Sequence, residues 1–205
     1  MFQRLSILTL VSSVSCWVVL AGPITYQVTV NTSPIQGTGG SVDFNFNPGP
    51  LVSQAASVQI LNFTTNGTLA NNALVIGDVT GTLPSTVSLN NTGALNDYFE
   101  GFTYGTTLQF SISLFGPALS SPNGVATSGS TFAFSMFSDP NGTIPVLTTD
   151  TTNGFAYTVN VNLDGSTSAA SFVPTSSPEP LSLGLLLVGL ALLCFGWGKA
   201  ARQKG

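Results

Sequence analysis

Apolar and polar residues alternate along five stretches in the central part of the chain. These stretches span residues 24–30, 42–46, 108–114, 132–136 and 155–163. Many of their apolar residues are aromatic or β-branched, and alternation with a period of two is typical of strands that bury one face. Four less regular apolar stretches, at residues 58–63, 73–79, 87–89 and 98–104, are further candidate strands.

Turn sequences separate these stretches, among them Asn66-Gly67 and Asp164-Gly165. No stretch between residues 22 and 175 repeats its apolar residues with the period of a helix. The pattern therefore predicts an all-β domain over residues 22–175, with about eight or nine strands packed as a single β-sandwich or jelly roll. Such a length is enough to form a core without disulfides or metal. Of the 14 phenylalanines, 12 lie in this region, and we expect them in the core.

The first 21 residues have the pattern of a secretory signal peptide. Arg4 supplies a positive charge, residues 5–14 are mostly apolar, and Val19-Leu20-Ala21 resembles a cleavage site. We predict cleavage after Ala21. The alternative is an uncleaved N-terminal anchor, because the apolar run approaches the minimum length of a membrane span.

The last 30 residues, 176–205, combine three features in a fixed order. The motif Pro178-Glu179-Pro180 is followed by an apolar run at residues 181–197, and then by Lys199, Arg202 and Lys204. As a helix, the run would be roughly 25 Å long, at the short end of what crosses a bilayer. Because lysine and arginine favour the cytoplasmic side, the run is predicted to be a transmembrane helix with its basic tail inside.

Motif, apolar run and basic tail together resemble the PEP-CTERM sorting signal of Gram-negative bacteria. Residues 42–49 and 95–102 also look like segments of a subgroup of PEP-CTERM proteins. The resemblance implies that an exosortase, a membrane-embedded processing enzyme, is the partner and cuts the chain near Pro178-Glu179-Pro180. The alternative is a permanent single-span anchor with a proline hinge, since a run of this length can span unaided.

All the cations of the chain lie near its ends. The formal net charge is −4, from 4 Lys and Arg against 8 Asp and Glu, and no cation lies between Leu5 and Gly198. Nucleic acid binding needs cations that neutralise phosphates, so we predict no nucleic acid partner. Under this interpretation, the cations direct export and are removed with the segments that carry them.

The residue types present exclude most catalytic chemistry from the predicted domain. The chain has no histidine, and its 2 cysteines, Cys16 and Cys194, lie in the terminal segments. Catalytic triads and imidazole zinc sites are therefore excluded. Schiff-base lysines are excluded as well, because the predicted domain has no lysine. The closest carboxylate pair is Asp97 and Glu100, but residues three apart on a strand point to opposite faces, which does not suit a glycosidase. We predict no enzymatic activity, no catalytic residues and no cofactor.

Ligand binding is the remaining possibility for the domain itself. We take Tyr98 and Tyr104 as candidate contacts that stack on sugar rings, with amides from Asn71-Asn72 and Asn90-Asn91 for the hydroxyl groups. The alternative is that these tyrosines belong to the core or its rim. The oxygens of Asp139, Asn141 and Asp150 are candidate calcium ligands, but a turn explains the first two, and we predict no metal site.

The sequence thus predicts a non-enzymatic protein that is exported across the inner membrane, held there transiently, and delivered to the cell surface or the extracellular polysaccharide matrix. The alternative is a permanently membrane-anchored carbohydrate-binding β-sandwich module.

Overall fold

A computed structural model describes residues 22–174, and antiparallel β-sheet dominates this part of the chain. The predictions for residues 1–21, including cleavage after Ala21, lie outside the described residues. The same holds for the sorting motif, the transmembrane helix at 181–197 and the basic tail. Within residues 22–174, no helix has the length and hydropathy needed to cross a membrane.

The described residues form twelve strands and two very short helical turns. The helical turns are Ser33–Ile35 and α1, Pro117–Ser120. The strands are β1 Ile24–Asn31, β2 Gly39–Pro48, β3 Ser57–Thr65, β4 Thr68–Leu69, β5 Leu74–Ile76, β6 Val79–Gly81, β7 Val87–Asn90, β8 Asp97–Thr103, β9 Thr107–Phe115, β10 Ser130–Phe137, β11 Phe155–Val161 and β12 Thr167–Ser171.

These strands make two sheets in which every pairing is antiparallel. The first sheet has five strands in the order β1-β9-β3-β7-β6. The second has seven, in the order β12-β11-β10-β2-β8-β4, with β5 also paired to β8. Both short strands, β4 and β5, therefore lie along the same edge of β8.

Aromatic side chains from facing strands join the two sheets into a sandwich-like core. Phe44 on β2 and Phe134 on β10 both contact Phe110 on β9, with ring centroids 5.2 and 4.9 Å apart. The alternation of β2 explains the arrangement, because Val42, Phe44 and Phe46 are all fully buried on its inner face. Burial of such rings supplies much of the stabilisation of a core without disulfides.

The structure confirms the predicted all-β class and refines the strand count. Each of the nine predicted stretches contains a strand, but the described residues hold twelve strands rather than eight or nine. The predicted stretch 73–79 is interrupted at Gly77, which lies between β5 and β6. Its φ of 74° is in the left-handed region, so the backbone turns there. The weakly apolar strands β4 and β12 were not predicted. Of the twelve phenylalanines, the eight at positions 44, 46, 63, 102, 110, 132, 134 and 137 are buried.

Candidate functional site

Strand β8 carries three of the residues that the sequence marks as candidates. Its alternation places Tyr98 and Glu100 on the inner side of the second sheet, with exposures of 0% and 1%, and Asp97 on the outer side. Asp97 and Glu100 therefore lie on opposite faces, as expected for residues three apart on a strand. They do not form the carboxylate pair that glycoside hydrolysis needs.

A cleft of about 350 Å³ opens beside the inner face of β8. It lies between the connection from β4 to β5 and the connection from β6 to β7. The lining residues are Asn71, Asn72, Ala73, Thr82, Leu83, Tyr98 and Glu100. The structure thus brings together the Asn71-Asn72 pair, Tyr98 and Glu100, which the sequence marks as candidates in different roles.

Tyr98 and Glu100 form a hydrogen-bonded chain at the base of the cleft. The Leu83 N–H donates to the Tyr98 hydroxyl at 3.0 Å, and that hydroxyl donates to Oε2 of Glu100 at 2.5 Å. Burial and the neighbouring Glu100 carboxylate raise the pKa of Tyr98 well above its ordinary value, so the phenol remains a neutral donor. These two hydrogen bonds join the β6–β7 connection to β8.

The β4–β5 connection is held to the same strand by two further hydrogen bonds. The Asn71 N–H donates to Oε1 of Glu100 at 3.0 Å, and the Gly101 N–H donates to Oδ1 of Asn72 at 3.0 Å. A Cβ atom at position 101 would lie 2.9 Å from that same Oδ1, so glycine allows the close approach. Both walls of the cleft are therefore fixed to β8.

The burial of Tyr98 and Tyr104 corrects the prediction that their rings stack on a ligand. Tyr104 is 2% exposed, and its hydroxyl lies 2.7 Å from the Ser41 carbonyl oxygen and accepts from the Phe137 N–H at 3.1 Å. Neither ring has a face open to solvent, and of the two residues only Tyr98 borders the cleft. Both rings belong to the core because they occupy inward positions of their segment.

The outer face of the second sheet holds a carboxyl pair that sequence reasoning missed. In the register of β2 and β8, Asn45 lies opposite Asp97. Asp43 is two residues before Asn45 and shares its face of β2, so it lies diagonally beside Asp97. Oδ1 of each is buried and receives no hydrogen bond from a backbone or amide N–H among the described residues. Burial raises the pKa of Asp43 to about 9, with further contributions from the hydrogen bond and charge of Asp97.

The two candidate calcium-binding carboxylates, Asp139 and Asp150, are both occupied in turns. Asp139 accepts hydrogen bonds from the N–H groups of Thr143 and Ile144 at 2.9 and 2.8 Å. Asp150 accepts from Thr152 and Asn153 at 3.0 and 3.1 Å. Within residues 22–174, no group of three or more His, Cys, Asp or Glu side chains is placed to hold a metal ion.

Asn90 and Asn91, the other predicted amide pair, serve the structure away from the cleft. Asn90 accepts a hydrogen bond from the Ser57 hydroxyl, and Asn91 is buried and bonds the backbone of Gln54 and Ala56. These amides fix the start of β3 and are not available as a binding surface.

The chemistry of the cleft is that of hydrogen bonding. Glu100 is the one carboxylate among its lining residues, and it lies beside a phenol and two amides. Hydrolysis of a glycosidic bond normally requires a second carboxyl group across the scissile bond. No protein-family model, curated protein or solved structure matches this chain at a significant level.

Proposed function

We propose that this chain is a non-enzymatic exported protein whose C-terminus is recognised and cut by an exosortase-like membrane enzyme. The processed domain is then delivered to the cell surface or the extracellular polysaccharide matrix. The observation that carries the proposal is the order of Pro178-Glu179-Pro180, the apolar run 181–197 and the terminal cations. A signal peptide at residues 1–21 would start the export.

The position of the last strand supports this proposal. Strand β12 ends at Ser171, and the next residue is still bonded on both sides: the Phe172 N–H donates to Ala156, and the Phe172 carbonyl accepts from Thr149. The last strand of the described residues therefore ends at Ser171, ahead of Pro178 in the sequence. Prolines disfavour helix in the residues before them and lack a backbone donor, which favours an extended, accessible segment for an enzyme to cut.

The charge distribution also supports export with removal of the ends. Residues 22–174 contain seven acidic side chains and no lysine or arginine. Cations near a membrane span favour the cytoplasmic side. A domain that lacks them offers no competing retention signal on its way across the membrane.

Variants of the motif prolines test the processing step in cells. In the native host, a Pro178→Ala, Pro180→Ala double variant should accumulate as a larger, membrane-associated species on immunoblots, because its segment is no longer held extended. Pro174→Ala, a proline change before the motif, is the matched control and should be processed normally. Identical processing of all three proteins would contradict the proposal.

The second candidate function is a permanently membrane-anchored carbohydrate-binding module. The observation that favours it is the cleft in which Asn71 and Asn72 lie beside Tyr98 and Glu100. In this case the apolar run 181–197 stays on the mature protein. The two candidates differ in the fate of the tail, whereas the cleft is common to both.

A further inference from the structure

We propose that the cleft beside β8 binds a neutral saccharide through its hydroxyl groups. The inference rests on the binding function given above as the second candidate, and it supplies that function with a site and a ligand class. It does not depend on whether the tail is cut, so the two can fail separately. The contacts are assigned to the exposed side chains of Asn71, Asn72 and Thr82, which the buried Glu100 helps to position.

Glu100 holds the cleft in shape from its base. Its side chain is 1% exposed, and its two oxygens each accept one hydrogen bond, from Tyr98 and from Asn71. The acceptor offered to a ligand is Oδ1 of the exposed Asn71, which accepts no hydrogen bond among the described residues. A sugar hydroxyl can donate to such an oxygen.

Donors and further acceptors surround the Glu100 carboxylate. Asn72 uses its Oδ1 to accept from Gly101, and its exposed amide nitrogen has no acceptor among the described residues. The hydroxyl of Thr82 likewise has no hydrogen-bond partner within residues 22–174 and lines the opposite wall. A saccharide hydroxyl both donates and accepts, so it matches a site where donors and acceptors alternate at short range.

The rest of the lining favours a neutral sugar over an anionic one. Ala73 and Leu83 give the cleft an apolar part, against which the C–H face of a sugar ring can pack. No lysine or arginine lies among residues 22–174, whereas Glu100 and six other acidic side chains do. An acidic sugar would therefore find no countercharge in the described domain, whose charged side chains are all acidic.

The site is also held in place before any ligand arrives. The Leu83 N–H, the Tyr98 hydroxyl and Glu100 form a continuous chain that joins one wall to the base. The bonds from Asn71 and Gly101 fix the other wall. Preorganised polar groups lower the entropic cost of binding a ligand.

The test is a titration of the full chain, purified in a non-glycosidic detergent such as lauryldimethylamine oxide. The probes are maltohexaose, cellohexaose and mannohexaose as neutral oligosaccharides, and hexagalacturonate as an acidic one. Binding is measured by calorimetry and by shifts of the backbone amide resonances. We expect saturable binding of at least one neutral probe, weaker binding of hexagalacturonate, and the largest shifts at residues 71–73 and 82–83.

Two variants and one control locate the site. Asn72→Ala and Thr82→Val each remove the polar group of an exposed side chain that lines the cleft, and each should weaken binding about tenfold or more. Asn162→Ala changes an exposed asparagine in a different cleft, lined by residues 128–131 and 160–163, and should leave the affinity unchanged. Amide spectra of each variant report whether it is folded.

Three results would overturn the proposal. One is that no neutral probe binds. Another is that Asn72→Ala, in a folded protein, binds as tightly as the parent, or that Asn162→Ala weakens binding by as much as Asn72→Ala does. The third is that hexagalacturonate binds more tightly than every neutral probe.

Discussion

Replacing Asp43 with asparagine should change the way in which the stability of the domain depends on pH. Asp43 lies beside Asp97 on the outer face of the second sheet, and burial raises its pKa from 3.8 to about 9. At neutral pH the folded protein therefore keeps a proton on the Asp43–Asp97 pair, whereas the unfolded chain releases it. Asparagine has nearly the same shape and carries no titrating proton, so the variant lacks this linkage.

The sign and size of the effect follow from proton linkage. The folded state binds the proton more tightly, so its stabilising contribution is complete below pH 3.8 and declines as the pH rises towards about 9. Within that window, one proton changes the free energy of unfolding by about 1.4 kcal/mol per pH unit. Between pH 6 and pH 8 the parent should thus lose about 2.7 kcal/mol relative to Asp43→Asn.

Urea unfolding of the full chain at pH 6, 7 and 8 measures this difference. Both tryptophans, Trp17 and Trp197, lie outside the described domain, so unfolding is better followed by the near-ultraviolet circular dichroism of the buried Tyr98 and Tyr104. Taking the difference between parent and variant cancels the titrating groups outside the Asp43–Asp97 pair, which the two proteins share.

The matched control is Asp164→Asn in the exposed β11–β12 turn. Hydrogen bonds from Ser166 lower the pKa of Asp164, so its contribution is present above pH 3.8 and is lost as the pH falls through its lower folded value. This variant should differ from the parent by a constant amount between pH 6 and 8. If the Asp43→Asn difference is also constant over that range, Asp43 is ionised in the folded protein and the reasoning is refuted.

Three further predictions concern the core and the cleft. Phe44→Ala should lower the free energy of unfolding, measured in urea, by about 3–5 kcal/mol, because a fully buried ring leaves a cavity. Phe115→Ala, at a residue that is 38% exposed, should lower it much less. Equal losses would contradict the assigned core. Tyr98→Phe should cost about 1–3 kcal/mol by the same assay, since it strands two buried hydrogen-bond partners, and a loss near zero would contradict the hydrogen-bonded chain. Gly101→Ala should displace Asn72, which would appear as shifts of the backbone amide resonances confined to the β4–β5 connection, and the free energy of unfolding should change little. Unchanged resonances in that connection would contradict the close approach of Asn72 to position 101.

The strands were predictable where one face is strongly apolar. Alternation alone located β2, because Val42, Phe44 and Phe46 repeat every second residue and all turn inward. It did not locate β12, whose sequence from Thr167 to Ser171 has only serine, threonine and alanine and whose side chains are mostly exposed. Such a strand is specified by its pairing with β11, and pairing is not visible in the strand's own sequence.

The site was predictable only in pieces, for a similar reason. Asn71 and Tyr98 are 27 positions apart in the chain, and they meet because β4 and β5 both pair with β8. Asp43 and Asp97 meet through the register of β2 and β8, which alternation does not fix. One signal for Tyr98 was present: it has the same phase on β8 as Phe102, so an inward position predicts burial for both.

The central claim is that the C-terminal segment of this chain is a sorting signal that is removed. Intact mass spectrometry of the mature protein from its native host, combined with sequencing of its C-terminal peptide, tests it most directly. We predict a chain that begins at Gly22 and ends near Pro178-Glu179-Pro180, without Lys199, Arg202 and Lys204. A mature protein that still ends at Gly205 would contradict processing and leave the permanent anchor as the explanation.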